Sequence, residues 1–265
     1  MRPPQDQKAR EFRALHEGEA FLIPNPWDAG SAKVFAGLGF KALATTSGGF
    51  AFTLGRLDGN VTLDEVIGHT RVLDQATSLP VSVDLENGYG PEPEDAARAI
   101  TRAAEAGAVG GSIEDYDPEG RIYELDHAVE RVAAASEAAR QLSFPFMLTA
   151  RAENFFRGNP DLDDTIARLQ AYERAGADVL YAPSLRNGEQ IRAVCEATSK
   201  PLNVLARPWL SMSEIVEAGG RRVSVGSWLT MVAVDAVAEA AKAMRDTGEF
   251  TALRAPKQIN EWLGG

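Results

Sequence analysis

Eight short runs rich in β-forming residues recur along the chain, each followed by a stretch with helical spacing. The runs are FLIP (21–24), ALATTS (42–47), VSVDLE (81–86), GGSIED (110–115), FMLTAR (146–151), VLYAPS (179–184), LNVLA (202–206) and RVSVG (222–226). Between them apolar residues fall at helical intervals, as Ala96, Ile100 and Ala103 do, or Ile166, Leu169 and Tyr172. AGLGFKAL, AEAGAVGG and ERAGADVL each place a glycine just past a helix, where a left-handed cap is wanted, and then restart a strand. Helix starts carry acids at the positive end of the dipole: Asp64 and Glu65 after Thr62, Glu94 and Asp95 after Pro93. Strands alternating with helices predict a parallel sheet with right-handed crossovers. Eight such units in 265 residues predict a closed (β/α)₈ TIM-type barrel. No Pro- or Ser-rich linker divides the chain, so residues 1–265 are expected to form one domain.

Charge narrows the range of partners. Lys plus Arg number 27 against 38 Asp plus Glu, a formal net charge of −11. Nucleic acid and anionic membrane surfaces call for the opposite balance, so neither is expected as a partner. The single cysteine, Cys195, can form neither an internal disulfide nor a cysteine-based zinc site. The polar start MRPPQDQKAREFRALHEG lacks the apolar core of a secretory signal, and no apolar run is long enough to span a bilayer. A soluble, cytoplasmic protein is the expectation. After the eighth strand, SWLTMVAVDAVAEAAKAMRDTG (227–248) reads as a helix apolar on more than one face, which points to burial against a neighbouring subunit in a homo-oligomer.

In such barrels the chemistry sits at the C-terminal ends of the strands. The polar residues there are Asn25 and Asp28; Thr45, Thr46 and Ser47; Asp84 and Glu86; Glu114 and Asp115; Arg151 and Glu153; Ser184; and Asn203 and Arg207. Acids concentrate on the third and fourth strands. Asp84 and Glu86, two apart, are expected to face together, with Glu114 beside them. Converging carboxylates repel unless compensated. A hard divalent cation, Mg²⁺ or Mn²⁺, would suit such oxygen ligands, with Asp84 bound directly and Glu86 and Glu114 holding its waters. A solvated acidic rim, or pairing with Arg151, is the alternative. TTSGG (45–49) is either a carboxylate grip built of backbone N–H groups or an ordinary tight turn.

Other chemistries find no carrier. His16, His69 and His127 lie off the strand ends, as do all six lysines, which disfavours a histidine-metal site, a Ser-His triad and a Schiff base. Cys195, mid-helix in IRAVCEA, reads as a small apolar residue and not a nucleophile.

NPWDAGSAKVFAGLGFKALATTSGG, LGRLD ending at Asp58, VDLENGYG, SIEDYD and ARAENF, in this order over roughly residues 20–245, resemble the isocitrate lyase/phosphoenolpyruvate mutase superfamily. The resemblance implies an α/β barrel, Mg²⁺, a small oxo-acid substrate, and an eighth helix swapped between subunits of dimers that pair into tetramers. It implies that Asp84 binds the metal directly while Asp58, Glu86 and Glu114 form the water-mediated shell. Thr46, Ser47 and Gly48 resemble the loop that holds the substrate carboxylate, and Arg151 the arginine that binds substrate oxygens. Two features depart from the pattern. The Lys-(Lys/Arg)-Cys-Gly-His loop of the lyases is replaced by IEDYDPEGRIYELDHAVERV. The lysine and asparagine of the mutase lid are replaced by Asp117, Glu119, Arg121 and Tyr123, and the mutase histidine falls near Ala182.

The expected activity is Mg²⁺-dependent cleavage of a C–C bond in a small 2-oxo or 2-hydroxy di- or tricarboxylic acid. It would run by decarboxylation or retro-aldol reaction through a stabilised pyruvate enolate. Arg151 and Glu114 would serve the chemistry, Arg121 and Tyr123 would close a lid, and Tyr123 or a metal-bound water would handle the proton, with Tyr89 as a second candidate. Trp27, Thr46, Ser47, Gly48, Asp84 and Arg151 would contact substrate. Phosphorus–carbon chemistry, as in a phosphonomutase or phosphonopyruvate hydrolase, and a non-catalytic metabolite-binding barrel are the alternatives.

Overall fold

Each of the eight β-rich runs contains a strand: β1 (Phe21–Ile23), β2 (Leu43–Ala44), β3 (Val81–Asp84), β4 (Gly110–Glu114), β5 (Met147–Arg151), β6 (Val179–Tyr181), β7 (Leu202–Leu205) and β8 (Arg222–Ser224). They come from a computed structural model of the protein that describes residues 2–254 and 256–264. The helices among these residues are α1 (Gln5–Glu17), α2 (Ala29–Gly37), α3 (Ser47–Thr53), α4 (Leu63–Ala76), α5 (Pro93–Glu105), α6 (Leu125–Arg140), α7 (Leu162–Arg174), α8 (Gly188–Ala197), α9 (Met212–Glu217), α10 (Trp228–Thr247) and α11 (Ile259–Gly264).

All strand pairs are parallel, in the order β1-β8-β7-β6-β5-β4-β3-β2. The sheet is therefore a (β/α)₈ barrel closed but for one seam, between β1 and β2. At that seam the Ala44 amide donates to the Pro24 carbonyl at 3.1 Å. Buried Asn25 reinforces it: its amide donates to the Thr45 carbonyl at 3.0 Å, and its oxygen accepts from the Val225 and Gly226 amides, both at 2.9 Å. One side chain thus ties the ends of three strands together.

The helices pack as their sequence pattern requires. The buried face of α5, Ala96, Ala99, Ile100, Ala103 and Ala104, is nearly all alanine, which lets α6 approach closely. Gly39, Gly107 and Gly176 end α2, α5 and α7 at φ of 87°, 104° and 104°, the left-handed turn expected of them. Helix α1 seals the N-terminal end of the barrel, where Phe12 packs with Ile23, Val109, Met147 and Val179. Helix α10 differs: over 20 residues only Thr230 is buried, and Val232 and Val237 are 62% and 69% exposed. No helix among the described residues is long and apolar enough to cross a membrane.

Candidate active site

At the C-terminal ends of the strands the barrel opens into a cavity of about 680 Å³, within the usual range for small-molecule sites. Its polar wall follows from strand register. Glu114 pairs with Arg151, Arg151 with Tyr181, Tyr181 with Asn203, and Asn203 with Arg222. Because strands in a barrel are staggered, this row winds from the top of β4 down to the start of β8. The Arg222 guanidinium, buried at the foot of the row, has hydrogen bonds to Asn203 and Thr149 but no carboxylate partner among the described residues. Desolvation pulls its pKa down to about 10.

Arg151 is the hub of the acidic side. Its Nη1 lies 3.2 Å from Asp84 Oδ1, and its Nη2 lies 3.0 Å from Glu114 Oε2 and 2.9 Å from Glu153 Oε1. Arg157 joins the same buried acids, 3.1 Å from both Glu114 Oε1 and Glu153 Oε2, with its guanidinium 3.6 Å above the Tyr116 ring. The Arg151 guanidinium is buried, yet Glu114, Glu153 and Asp84 hold its pKa well above the ordinary arginine value. Glu114 is pushed well above the usual carboxylate range, chiefly by burial, and the two arginines work against that push.

The chain reaches the remaining acids by turns. The period-two argument placed Glu86 on the same face as Asp84, but β3 ends at Asp84 and Leu85 is buried. Glu86 instead reaches the cavity through a left-handed backbone at φ 47°, with its amide donating to Asp84 Oδ1 at 3.2 Å. Burial, then Asp84 and Asp58, raise its pKa to about 7. Tyr89, at φ 62°, donates its hydroxyl to Glu86 Oε1 at 3.2 Å. On the facing side, Thr46 caps α3 by accepting from the Gly49 amide at 3.2 Å. A Cβ at Gly48 would stand 3.2 Å from Asp58 Oδ2, so any side chain there would crowd the Asp58 carboxylate.

The cavity brings together Thr46, Ser47, Gly48, Asp58, Asp84, Glu86, Glu114 and Arg151. Four expected residues lie elsewhere. Trp27 packs edge-on against Phe35 and accepts from His69 through its carbonyl, and it is not among the residues that line the cavity. Tyr123 turns into the core, where its hydroxyl accepts from Asn87 at 3.0 Å and its ring meets His127 and Arg131. The cause is a tight excursion after β4 in which Tyr116 bridges Ile122, so the residue after the bridge points inward. Arg121 lies on the outer side of that excursion, 70% exposed and paired with Asp117 and Glu119. Tyr89 touches the site only through Glu86. Its own hydroxyl is held protonated by burial and by the nearby acids. Conversely, Tyr116, Arg157, Tyr181 and Arg222 line the cavity without having been singled out. Tyr181 had a signal in lying within the sixth β-run, where it proves to be the last residue of β6. Cys195 is half-buried in α8, where burial raises its thiol to about 11, which fits an inert apolar role.

Pairing with Arg151, the alternative to a cation for the acids of β3 and β4, is present: Arg151 meets Asp84 and Glu114, and Arg157 adds a second partner for Glu114. Among the described residues no three acids, cysteines or histidines cluster closely enough to ligate one ion together. The donor set still fits Mg²⁺, which takes one or two carboxylates directly and keeps waters on the rest of its shell. Burial lifts Glu86 most, and repulsion from Asp84 and Asp58 adds to it; a nearby cation would offset that repulsion.

The family model for phosphoenolpyruvate phosphomutase matches residues 12–245. The chain belongs to the phosphoenolpyruvate mutase/isocitrate lyase superfamily. A 2-methylisocitrate lyase of Halalkalibacterium halodurans is 31% identical over 91% of this chain and 81% of its own. An oxaloacetate decarboxylase of Bradyrhizobium sp. strain BTAi1 is 30% identical over 94% of this chain and 86% of its own. A crystal structure from Burkholderia cenocepacia J2315, provisionally described as a lyase/mutase, is 50% identical, with a TM-score of 0.95 over 98% of this chain and 97% of that one. The protein is accordingly an enzyme of this superfamily of lyases and mutases.

Proposed function

We propose that the protein is a Mg²⁺-dependent carbon–carbon lyase acting on a small 2-oxo or 2-hydroxy di- or tricarboxylic acid. The observation that carries this reading is the convergence of Asp84, Glu86, Asp58 and the Arg151 guanidinium on one cavity. Asp84 would hold the ion directly, with Asp58, Glu86 and Glu114 around its waters. The bound ion supplies Lewis-acid polarisation of the substrate's oxygens.

The protein's own groups do the rest. The first N–H groups of α3, at Ser47 and Gly48, have no intrahelical acceptor and line the cavity, where they would hold the substrate carboxylate. Arg151, fixed by three acids, presents positive charge where an enolate oxygen develops as a bond at C3 breaks. A charge already ordered in this way costs no reorganisation during the reaction. Tyr89, protonated, holds Glu86 in place. The relatives named as 2-methylisocitrate lyase and oxaloacetate decarboxylase support C–C chemistry. The match to the phosphomutase model keeps P–C cleavage as the second reading, separable by ³¹P NMR of the products.

Turnover of oxaloacetate and 2- or 3-substituted malates should require Mg²⁺. Asp84→Ala should lower kcat/KM by about 10²-fold or more. Turnover that survives Asp84→Ala, or that persists after chelation, would remove the metal from the mechanism.

A further inference from the structure

The cavity is electrically lopsided. Its acids come from the β3 and β4 side and from the loop at Asp58, and Arg151 and Arg157 are each paired with at least two acids, in the cavity wall or just behind it. Arg207 lies beyond the end of β7, four strands from β3 in a ring of eight, and so faces the acids across the mouth. It forms no ion pair among the described residues. Among the described residues its guanidinium makes one hydrogen bond, from Nη2 to Ser184 Oγ at 2.9 Å, and it lies 5.7 Å from the centre of the Trp228 ring. Ser184 holds a left-handed backbone at φ 71°, a conformation costly for a residue with a Cβ. That conformation presents its hydroxyl to Arg207. Arginine carries five N–H donors in a planar fork, so most of this one's donors remain for a ligand.

We propose that Arg207 is the receptor for a second anionic group of the substrate. The site then selects a dianionic acid that spans the mouth, with its oxo- or hydroxy-acid end toward Arg151 and Asp84 and its distal anion on Arg207. The inference rests on the lyase reading of the same cavity. A guanidinium fork recognises carboxylate and phosphonate by the same paired hydrogen bonds, and it discriminates strongly against a ligand that lacks the anion. Ser184 and Trp228 are positioning residues that aim the fork.

The test compares ligands that share a head and differ in the tail, using the full-length protein with Mg²⁺ and titration calorimetry. L-malate is compared with L-lactate for a distal carboxylate, and phosphonopyruvate with pyruvate for a distal phosphonate. Oxalate, which has no tail, reports the acidic side alone. The wild type should bind at least one tailed ligand about tenfold or more tighter than its untailed partner. Arg207→Gln should erase that gain while leaving oxalate within about threefold, and Arg207→Lys should restore part of it. Unchanged oxalate binding also shows that the variant is folded. A gain confined to malate or to phosphonopyruvate names the distal group. No gain in the wild type, or a gain that survives Arg207→Gln, overturns the role of Arg207. Failure of oxalate to bind the wild type with Mg²⁺ overturns the lyase reading itself, and the inference with it.

Discussion

Gly88 shows why VDLENGYG needs glycine between its functional residues. The turn after β3 must carry Glu86 and Tyr89 round to one cavity edge, and both take left-handed backbones, at φ 47° and 62°. Gly88 lies between them at φ 87°, and a Cβ there would stand 2.9 Å from the Ala96 Cα of α5. The neighbour is backbone, so it cannot swing aside. Gly88→Ala should therefore destabilise the protein by about 2–4 kcal/mol, from the left-handed penalty together with the overpacking. Urea unfolding monitored by circular dichroism measures it, and a variant within about 0.5 kcal/mol of wild type would contradict the argument. At this scale the sequence was readable where a residue ends a strand, as Asp84, Glu114 and Arg151 do. It was not readable where side-chain direction is set by an aperiodic turn. Tyr123 and Arg121 belong to such a turn, and nothing in their spacing says that one is buried and the other exposed.

At the scale of elements, the strands and helices were legible because two periods and a glycine stop repeat throughout the chain. What α1 does was not, since its role depends on a contact more than two hundred residues away: His16 Nε2 lies 3.3 Å from Arg222 Nη1. A guanidinium can only donate, so Nε2 accepts, and Nδ1 donates to the Phe12 carbonyl at 2.8 Å. The ring must be neutral, and burial together with Arg222 lowers its pKa from 6.5 to about 3. The unfolded chain therefore takes up this proton first as pH falls. The stability that the neutral ring supplies is complete above 6.5 and is lost progressively toward about 3. By about pH 5 the loss should be on the order of 2 kcal/mol. His16→Gln keeps an acceptor for Arg222 and cannot titrate. The stability difference between wild type and His16→Gln should thus shift by that amount, against the wild type, from about pH 7.5 to about pH 5. Parallel pH profiles would place the proton uptake elsewhere.

At the scale of the whole molecule, helix α10 is the part that the barrel alone does not explain. Its sequence was read as a helix needing cover on several faces, yet it leaves Trp228, Met231, Val232, Val237 and Met244 substantially exposed. A net charge of −11 opposes association, so a second copy would have to bury enough of this apolar face to outweigh the repulsion. The expected outcome is a dimer or tetramer by sedimentation velocity at micromolar concentration, tightened by added salt as the repulsion is screened. Val232→Asp combined with Val237→Asp puts two charges where apolar contact is required and should shift the protein toward monomer. Trp228 opens this same helix and lines the cavity beside Arg207. Loss of the assembly should therefore also weaken the binding of tailed ligands more than that of oxalate, because the tail end of the cavity is the end that α10 builds. A wild type that sediments as a monomer under these conditions would show that α10 stands uncovered, and would separate the completeness of the site from assembly.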